Sequence, residues 1–344
     1  MKVTSFVVAE AAKVSQSTVS RALRGDPNIA AETVRRVVAV ATELGYVPSE
    51  RARDLSTRTT RRIAMLVDLD NPLWSLLVSR LHDELADRGY RLTLIAGHGD
   101  QQTIETNLLG GGVDGVIVCT VTLQSTLPAL LHQRGVPAVL LHRYAEDGSE
   151  PAERSGDSRA GGTLDACVAD NRAGGAAAAQ LLLDAGHRRI AALFGPRDTS
   201  TGRDRAAGFL DRLADAGATP AEDRLRYGSF DFAYGRASLP ELMTQPDPPT
   251  AIFCSNDEIA LGALNAACER QLRVPDDVAV VGFDDLDQAA WPLIGLTTIS
   301  VPFADMLHSA VNLLLERIGG YAGGGRRLIH PVKPVLRRTH GGRG

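Results

Sequence analysis

The sequence predicts a small all-α head, a helix-turn-helix followed by a hinge helix, joined to a larger α/β body of two lobes. Each lobe is expected to be a doubly wound parallel sheet. Three observations predict this. The first 46 residues carry three short helical patterns separated by turn residues. From Ile63 onward, short apolar runs alternate with amphipathic stretches, the pattern of parallel strands buried under helices on both faces. The chain also echoes itself: Arg61-Arg62-Ile63-Ala64 returns as Arg188-Arg189-Ile190-Ala191, and Arg134-Gly135-Val136-Pro137 as Leu272-Arg273-Val274-Pro275. Such repetition implies two lobes built alike.

Taken in order, Val7, Val8, Ala11 and Val14 share one face of the first helix. Ser15 is placed to cap a second helix whose apolar side is Val19, Ala22 and Leu23. Gly25-Asp26-Pro27-Asn28 is a turn. Val34, Val37, Val38, Ala41 and Leu44 follow helical spacing, and Gly45 stands where such a helix ends. Pro48 forbids simple continuation. Ser49 to Ser56 can form two helical turns, too few to be stable alone, and Thr57 to Arg62 is a polar linker. Strands are expected at 63–67, 92–96, 116–119, 138–141, 190–194, 251–254 and 278–283, with helices at 76–88, 174–185, 203–216 and 258–271. Ala145 to Thr163 reads as a surface loop, and one strand is expected around Leu328–Val335. These elements divide the chain into a head (1–47), a hinge and linker (48–61), a two-lobed body (62–339) and a tail (340–344).

With 44% hydrophobic and 23% charged residues in 344, the chain has the profile of a globular protein, not of a disordered, collagenous or coiled-coil one. No apolar run approaches the roughly 20 residues that span a bilayer, and Glu10 and Lys13 interrupt the short apolar start, so neither membrane nor secretion is expected. A cytoplasmic, nucleoid-associated protein is expected. Cys119, Cys167, Cys254 and Cys268 are widely spaced, with no CxxC, and read as reduced thiols; no metal or cofactor is expected. Charge is uneven. Residues 1–62 hold 11 Lys and Arg against 6 Asp and Glu, and the remainder carries a net −9. A basic head on an acidic body implies that only the head meets a polyanion.

The second helix has the chemistry for that meeting. Small polar side chains let a helix enter a major groove, where Gln16 and Ser17 can reach base edges and Arg21 can offer two donors to guanine. Ser15, Thr18 and Ser20 can bond phosphates. By itself, the same helix can equally be a surface helix whose hydroxyls cap and meet water. The run Val14-Ser15-Gln16-Ser17-Thr18-Val19-Ser20-Arg21-Ala22-Leu23, with Leu44-Gly45-Tyr46-Val47-Pro48 and Ala52-Arg53-Asp54-Leu55, resembles the head of the lactose-repressor (LacI/GalR) family of bacterial transcription regulators. Asp70-Asn71-Pro72-Leu73-Trp74, Val113-Asp114-Gly115, Asp170-Asn171, Ala185-Gly186-His187-Arg188-Arg189-Ile190, Asn256-Asp257 and Val281-Gly282-Phe283-Asp284-Asp285 follow in the family's order. The resemblance runs from residue 4 to about 339. It departs at Lys13, where relatives usually have glycine, at Ser5-Phe6-Val7, where a polar run is common, and at Ala30, where a serine commonly caps the third helix.

The resemblance implies a periplasmic-binding-protein-like body and a set of working residues. In the head, Ser15, Gln16, Ser17, Thr18 and Arg21 would meet DNA. In the hinge, Arg51, Ala52 and Arg53 would follow the backbone while Leu55 wedges between base pairs and kinks the duplex; from spacing alone, Leu55 could as well be packed in its own domain. Between the lobes, Leu73, Trp74, His142, Arg205, Phe230, Asn256, Asp257 and Asp284 would hold an effector, aromatic faces on a sugar ring and polar groups on its hydroxyls. Ordinary packing for Trp74 and Phe230, a structural role for His142 and a helix brace for Asp257 are the competing readings. The implied protein is a homodimeric repressor on pseudo-palindromic operator DNA, released by a sugar or sugar derivative; no segment after Arg338 suits a tetramerising helix. A purine or nucleoside co-repressor is the alternative within the family. A sugar-binding protein without a DNA role would not need the head. An enzyme is not expected: GxGxxG after a strand, GxxxxGK[ST] and a Ser/His/Asp order are all missing.

Overall fold

A computed structural model of the chain describes residues 3–46, 59–68, 72–96, 108, 112–146, 159–160 and 163–341. The chain divides into two compact units at Thr60–Arg61.

In the head, α1 (Ser5–Ala11), α2 (Gln16–Ala22) and α3 (Ala31–Glu43) close on Val8, Ala9, Ala12, Val19, Ala22, Val37 and Ala41. The expected apolar faces shift at two points: Ala11 and Val38 are exposed, while Ala9 and Ala12 are buried. The reason is that α1 touches both α2 and α3, which turns its small residues inward. Ser15 caps α2, its hydroxyl accepting from the Thr18 N–H at 3.1 Å. Two departures from the family pattern now have a physical meaning. Lys13 holds a φ of 53°, a left-handed conformation that glycine adopts without penalty. Ala30 precedes α3 with no side-chain cap. Lys13→Gly and Ala30→Ser are each expected to stabilise the head by about 1 kcal/mol. Amide exchange at Val19 and Val37 in the full chain then slows about fivefold per substitution; an unchanged rate in Lys13→Gly would mean the turn carries no strain.

The second unit is built on two sheets. β1 (Arg62–Val67), α4 (Pro72–Ala86), β2 (Arg91–Ala96), β3 (Gly115–Val118), α5 (Leu127–Gln133), β4 (Ala138–Leu141), β5 (Arg159–Ala160) and β6 (Asp165–Ala169) begin the first. The second follows, with α6 (Asn171–Asp184), β7 (Ile190–Phe194), α7 (Ser200–Asp215), β8 (Leu225–Tyr227), α8 (Phe232–Met243), β9 (Ala251–Cys254), α9 (Asp257–Glu269), β10 (Ala279–Asp284) and β11 (Thr297–Ser300). α10 (Phe303–Ile318) and β12 (Arg326–His330) return to the first sheet, and β13 (Lys333–Val335) joins the second. The strand orders are β2-β1-β3-β4-β6-β12-β5 and β13-β11-β10-β9-β7-β8. The internal echo has its counterpart here: β1 and β7 hold the same place in their sheets, as do β4 and β10.

Several expectations need correction. The sheets are not wholly parallel, because β5 on β12 and β13 on β11 are antiparallel edges. The single strand expected at 328–335 is two strands in different sheets, separated by Pro331, where the chain crosses between lobes. β5, β6, β8 and β11 are not announced by the sequence. β6 opens on Asp165, a fully buried carboxylate held by Arg317 and Arg326, at 2.8 and 3.0 Å. Helices α4, α6 and α7 begin three or four residues ahead of the expected starts. For α6 and α7 the cause is capping, with Asp170 and Thr199 accepting from Ala173 and Gly202 before the apolar stripe begins. His340, assigned to the tail, is buried, with Nδ1 2.9 Å from Thr297 Oγ1. The loop expected from Ala145 to Thr163 lies largely outside the described residues, apart from its two ends and β5.

Candidate effector site and DNA-reading helix

Ligands of doubly wound sheets gather at the carboxyl ends of strands, and both lobes bring polar groups there. His142 follows β4 and Asp284 ends β10, the equivalent strand of the other sheet. Both have left-handed backbones, with φ of 71° and 115°. A non-glycine residue persists in that region only where its surroundings insist on it, and such positions gather at binding sites. Leu73 and Trp74 come from the start of α4, and Phe230 from the segment before α8. Phe230 can approach β7 closely because residue 195 is glycine: a Cβ there would lie 2.1 Å from the ring. Together Leu73, Trp74, His142, Arg143, Arg205, Phe230, Asn256 and Asp284 enclose a cavity of about 10 Å³, room for about one water molecule.

Seven of the eight expected effector residues thus line one cavity. Asp257 does not. Its two carboxylate oxygens accept from Thr298 Oγ1 at 2.6 Å and from the Leu286 N–H at 2.8 Å. It braces the floor of the second lobe, and burial pushes its pKa well above the usual carboxylate range. Asn256 lines the cavity but is engaged elsewhere too, its Oδ1 capping α9 at the Ile259 N–H (2.9 Å). Arg143 joins the set; the sequence signal for it was its place beside His142 at a strand end.

Arg205 is the electrostatic centre. It is 1% exposed and donates to Asn171 Oδ1 (2.8 Å), the Ser255 carbonyl (2.7 Å) and Asp284 Oδ1 (2.8 Å), with its guanidinium 3.8 Å from the centre of the Phe283 ring. Asn171 was missed as a functional residue, although Asp170-Asn171 is one of the motifs. Burial raises the pKa of Asp284, while Arg205 and then Arg143 act against that rise. His142 is neutral: burial, then the charges of Arg205 and Arg143, hold its pKa well below 6.5. Its ring meets Trp74 edge-on at 5.7 Å. His142 Nδ1 and Arg143 Nε are buried and have no hydrogen-bond partner among the described residues. Buried polar atoms left in that state are the exception in folded proteins. A hydroxylated guest offers them partners.

In the head, Ser15, Gln16, Ser17 and Ser20 are exposed along one stretch of α2, with Thr18 and Arg21 half-buried. Gln16 Nε2 donates to Ser5 Oγ at 2.7 Å, and Arg21 Nε to Asp26 Oδ2 at 2.7 Å. Asp26, missed in the sequence, also accepts from the Asn28 N–H at 2.9 Å. Arg21's hydrogen bond lowers the Asp26 pKa to about 2, so the carboxylate keeps its charge well into acid. The turn therefore holds the arginine from behind. Arg51, Ala52, Arg53 and Leu55 lie outside the described residues. Among the described residues, no cluster of His, Cys, Asp or Glu is arranged to hold a metal ion, and no helix is long and apolar enough to cross a membrane.

Comparison with known proteins agrees with both units. Residues 8–49 match the family described as bacterial regulatory proteins, lacI family, and residues 179–340 match a periplasmic binding protein-like domain. The ribose operon repressor of Escherichia coli is 34% identical over 317 residues, 90% of this chain and 92% of the relative. The HTH-type transcriptional regulator CelR of Thermobifida fusca is 32% identical over 97% of this chain and 95% of its own. Among solved structures, the lac repressor dimer bound to operator and the anti-inducer ONPF superposes with a TM-score of 0.85 at 27% identity, covering 99% of each chain. A CelR–cellobiose complex superposes at 0.73 and 30% identity, covering 98% of this chain and 99% of that one. With a helix-turn-helix head in one unit and a strand-end cavity in the other, this chain belongs to the lacI family of bacterial regulatory proteins and is an effector-responsive, DNA-binding transcriptional regulator.

Proposed function

We propose that the chain is a homodimeric repressor that binds a pseudo-palindromic operator and leaves it when a sugar or sugar derivative occupies the cavity between the lobes. The head is residues 1–47, the hinge 48–61 and the effector-binding body 62–339. Ser15, Gln16, Ser17, Thr18 and Arg21 face the major groove. Arg51, Ala52 and Arg53 follow the backbone of the duplex, and Leu55 enters it. The observation that carries the effector reading is the pair of buried, unpartnered polar atoms, His142 Nδ1 and Arg143 Nε, beside Trp74 and Phe230. An aromatic wall with sparse hydrogen-bonding groups suits a sugar ring, and the relatives named for ribose and cellobiose lie in the same direction. Because the cavity is so small, a sugar fits only when the lobes part or side chains rotate. Release follows if the sugar binds that altered state better than the DNA-bound one. Trp291 and Leu293, 55% and 97% exposed beside a groove of about 840 Å³ on the second lobe, supply apolar surface for a second copy. The protein would work in the cytoplasm, on the nucleoid.

Thermal unfolding of the full chain across ribose, cellobiose, other sugars and nucleosides tests this, followed by operator release with any hit. A sugar that raises the melting temperature and frees operator DNA is the expected result. Stabilisation by a nucleoside that tightens operator binding would replace this reading with co-repression.

A further inference from the structure

A second cavity, away from the cleft, is not used by anything described so far. It measures about 330 Å³ and lies on the first lobe, within the range of about 300–1,000 Å³ typical of small-molecule sites. Leu140 of β4 and Ala166 of β6 form its floor, Ser125 and Thr126 stand at the start of α5, and Tyr144 and Arg327 complete the wall. Arg327 is the unusual member. Its neighbour Arg326 is fully engaged, donating to Asp165 and Glu316. The Arg327 guanidinium instead lies 4.0 Å from the centre of the Tyr144 ring, and its buried Nε has no hydrogen-bond partner among the described residues. The single carboxylate among the described lining residues, Glu146, is already paired with Arg203. A buried cationic N–H without an acceptor is costly, and an anion removes that cost.

We propose that this cavity is a second ligand site and takes a small hydroxylated carboxylate, its carboxylate group on the planar edge of Arg327 and its hydroxyls toward Ser125, Thr126 and Gln124. One guanidinium balances the single charge of a carboxylate and matches its flat geometry; a phosphate group carries a charge of about −2 and, among the described lining residues, finds no second cation. Leu140, Leu164 and Pro128 accept the carbon chain. The site is separate from the central cleft, whose cavity shares none of its lining residues.

The test is titration calorimetry of the full chain with D-gluconate, with neutral D-glucitol and with D-glucose 6-phosphate. Saturable binding of gluconate is expected, with no binding of glucitol. Arg327→Gln, which keeps a polar group at the wall, weakens gluconate about tenfold to a hundredfold, while Phe230→Ala in the cleft leaves it unchanged. Melting curves without ligand establish that both variants are folded; Arg327→Lys, which keeps the charge and loses the planar edge, gives an intermediate affinity. Absence of saturable gluconate binding, equal binding by Arg327→Gln, or sensitivity to Phe230→Ala overturns the site. Preference for glucose 6-phosphate over gluconate overturns the carboxylate assignment.

Discussion

Asp284→Ala is expected to destabilise the body by about 3–5 kcal/mol, because it leaves the Arg205 cation buried without its counter-charge. The melting temperature should fall by roughly 6–20 °C for a body of this size. Arg205 is 1% exposed, and its remaining acceptors, Asn171 Oδ1 and the Ser255 carbonyl, are neutral. Asp284→Asn keeps an oxygen for Nη2 and tolerates the left-handed backbone at φ 115°, so its loss of stability should be smaller. Below the melting transition both variants should still bind operator, since the head has a core of its own. Release by effector should be blunted in both, because the residue lines the cavity. Differential scanning calorimetry paired with operator anisotropy reads both quantities. An Asp284→Ala melt equal to wild type would show that Arg205 reaches water or another anion, and the electrostatic centre would have to be drawn differently.

Arg21→Ala should remove most of the preference for operator over random DNA. A bidentate arginine–guanine contact is worth about 1–3 kcal/mol, and a dimer makes it in both half-sites, so the specific complex loses about 2–6 kcal/mol. Random-sequence binding should change little, because it rests on phosphate contacts. Competition of labelled operator with random duplex at fixed salt measures the ratio; an equal loss on both DNAs would move Arg21 from base edge to phosphate. Asp26→Ala tests the support from behind. Without the 2.7 Å contact to Nε the arginine fork is less ordered, and the preference for operator should fall by a smaller factor than in Arg21→Ala. Their ion pair is half-exposed, so its effect should appear in recognition and scarcely in stability.

The head and the cleft were readable for different reasons. Ser15 as cap, Arg21 on the second helix and the valines of α3 are local facts: spacing of 3 or 4 residues decides which side chains share a helix face. The strand-end residues were readable because in this architecture a short apolar run announces where it stops, and whatever polar residue follows stands at the rim. Both signals weaken when pattern and burial disagree. β11, Thr297-Thr298-Ile299-Ser300, is almost wholly buried yet three of its four residues carry a hydroxyl, and it has no apolar run to announce it. β6 begins with an aspartate whose burial makes sense only with two arginines more than 150 residues further along.

By itself, the sequence determined the two-part plan, the helix-turn-helix head and the list of side chains at the strand ends, since these follow from periodicity and short-range motifs. Tertiary structure alone decided which of those side chains remain available to a guest. Asp257 and Asp284 look alike in the sequence, each an aspartate at a strand end. One is closed off by Thr298 and Leu286, while the other stands at the cavity wall with Arg205. A carboxylate's hydrogen-bond partners are chosen by which strand ends and helices of its lobe pack beside it, from positions tens of residues away in the chain, and nothing in its neighbouring residues encodes that choice.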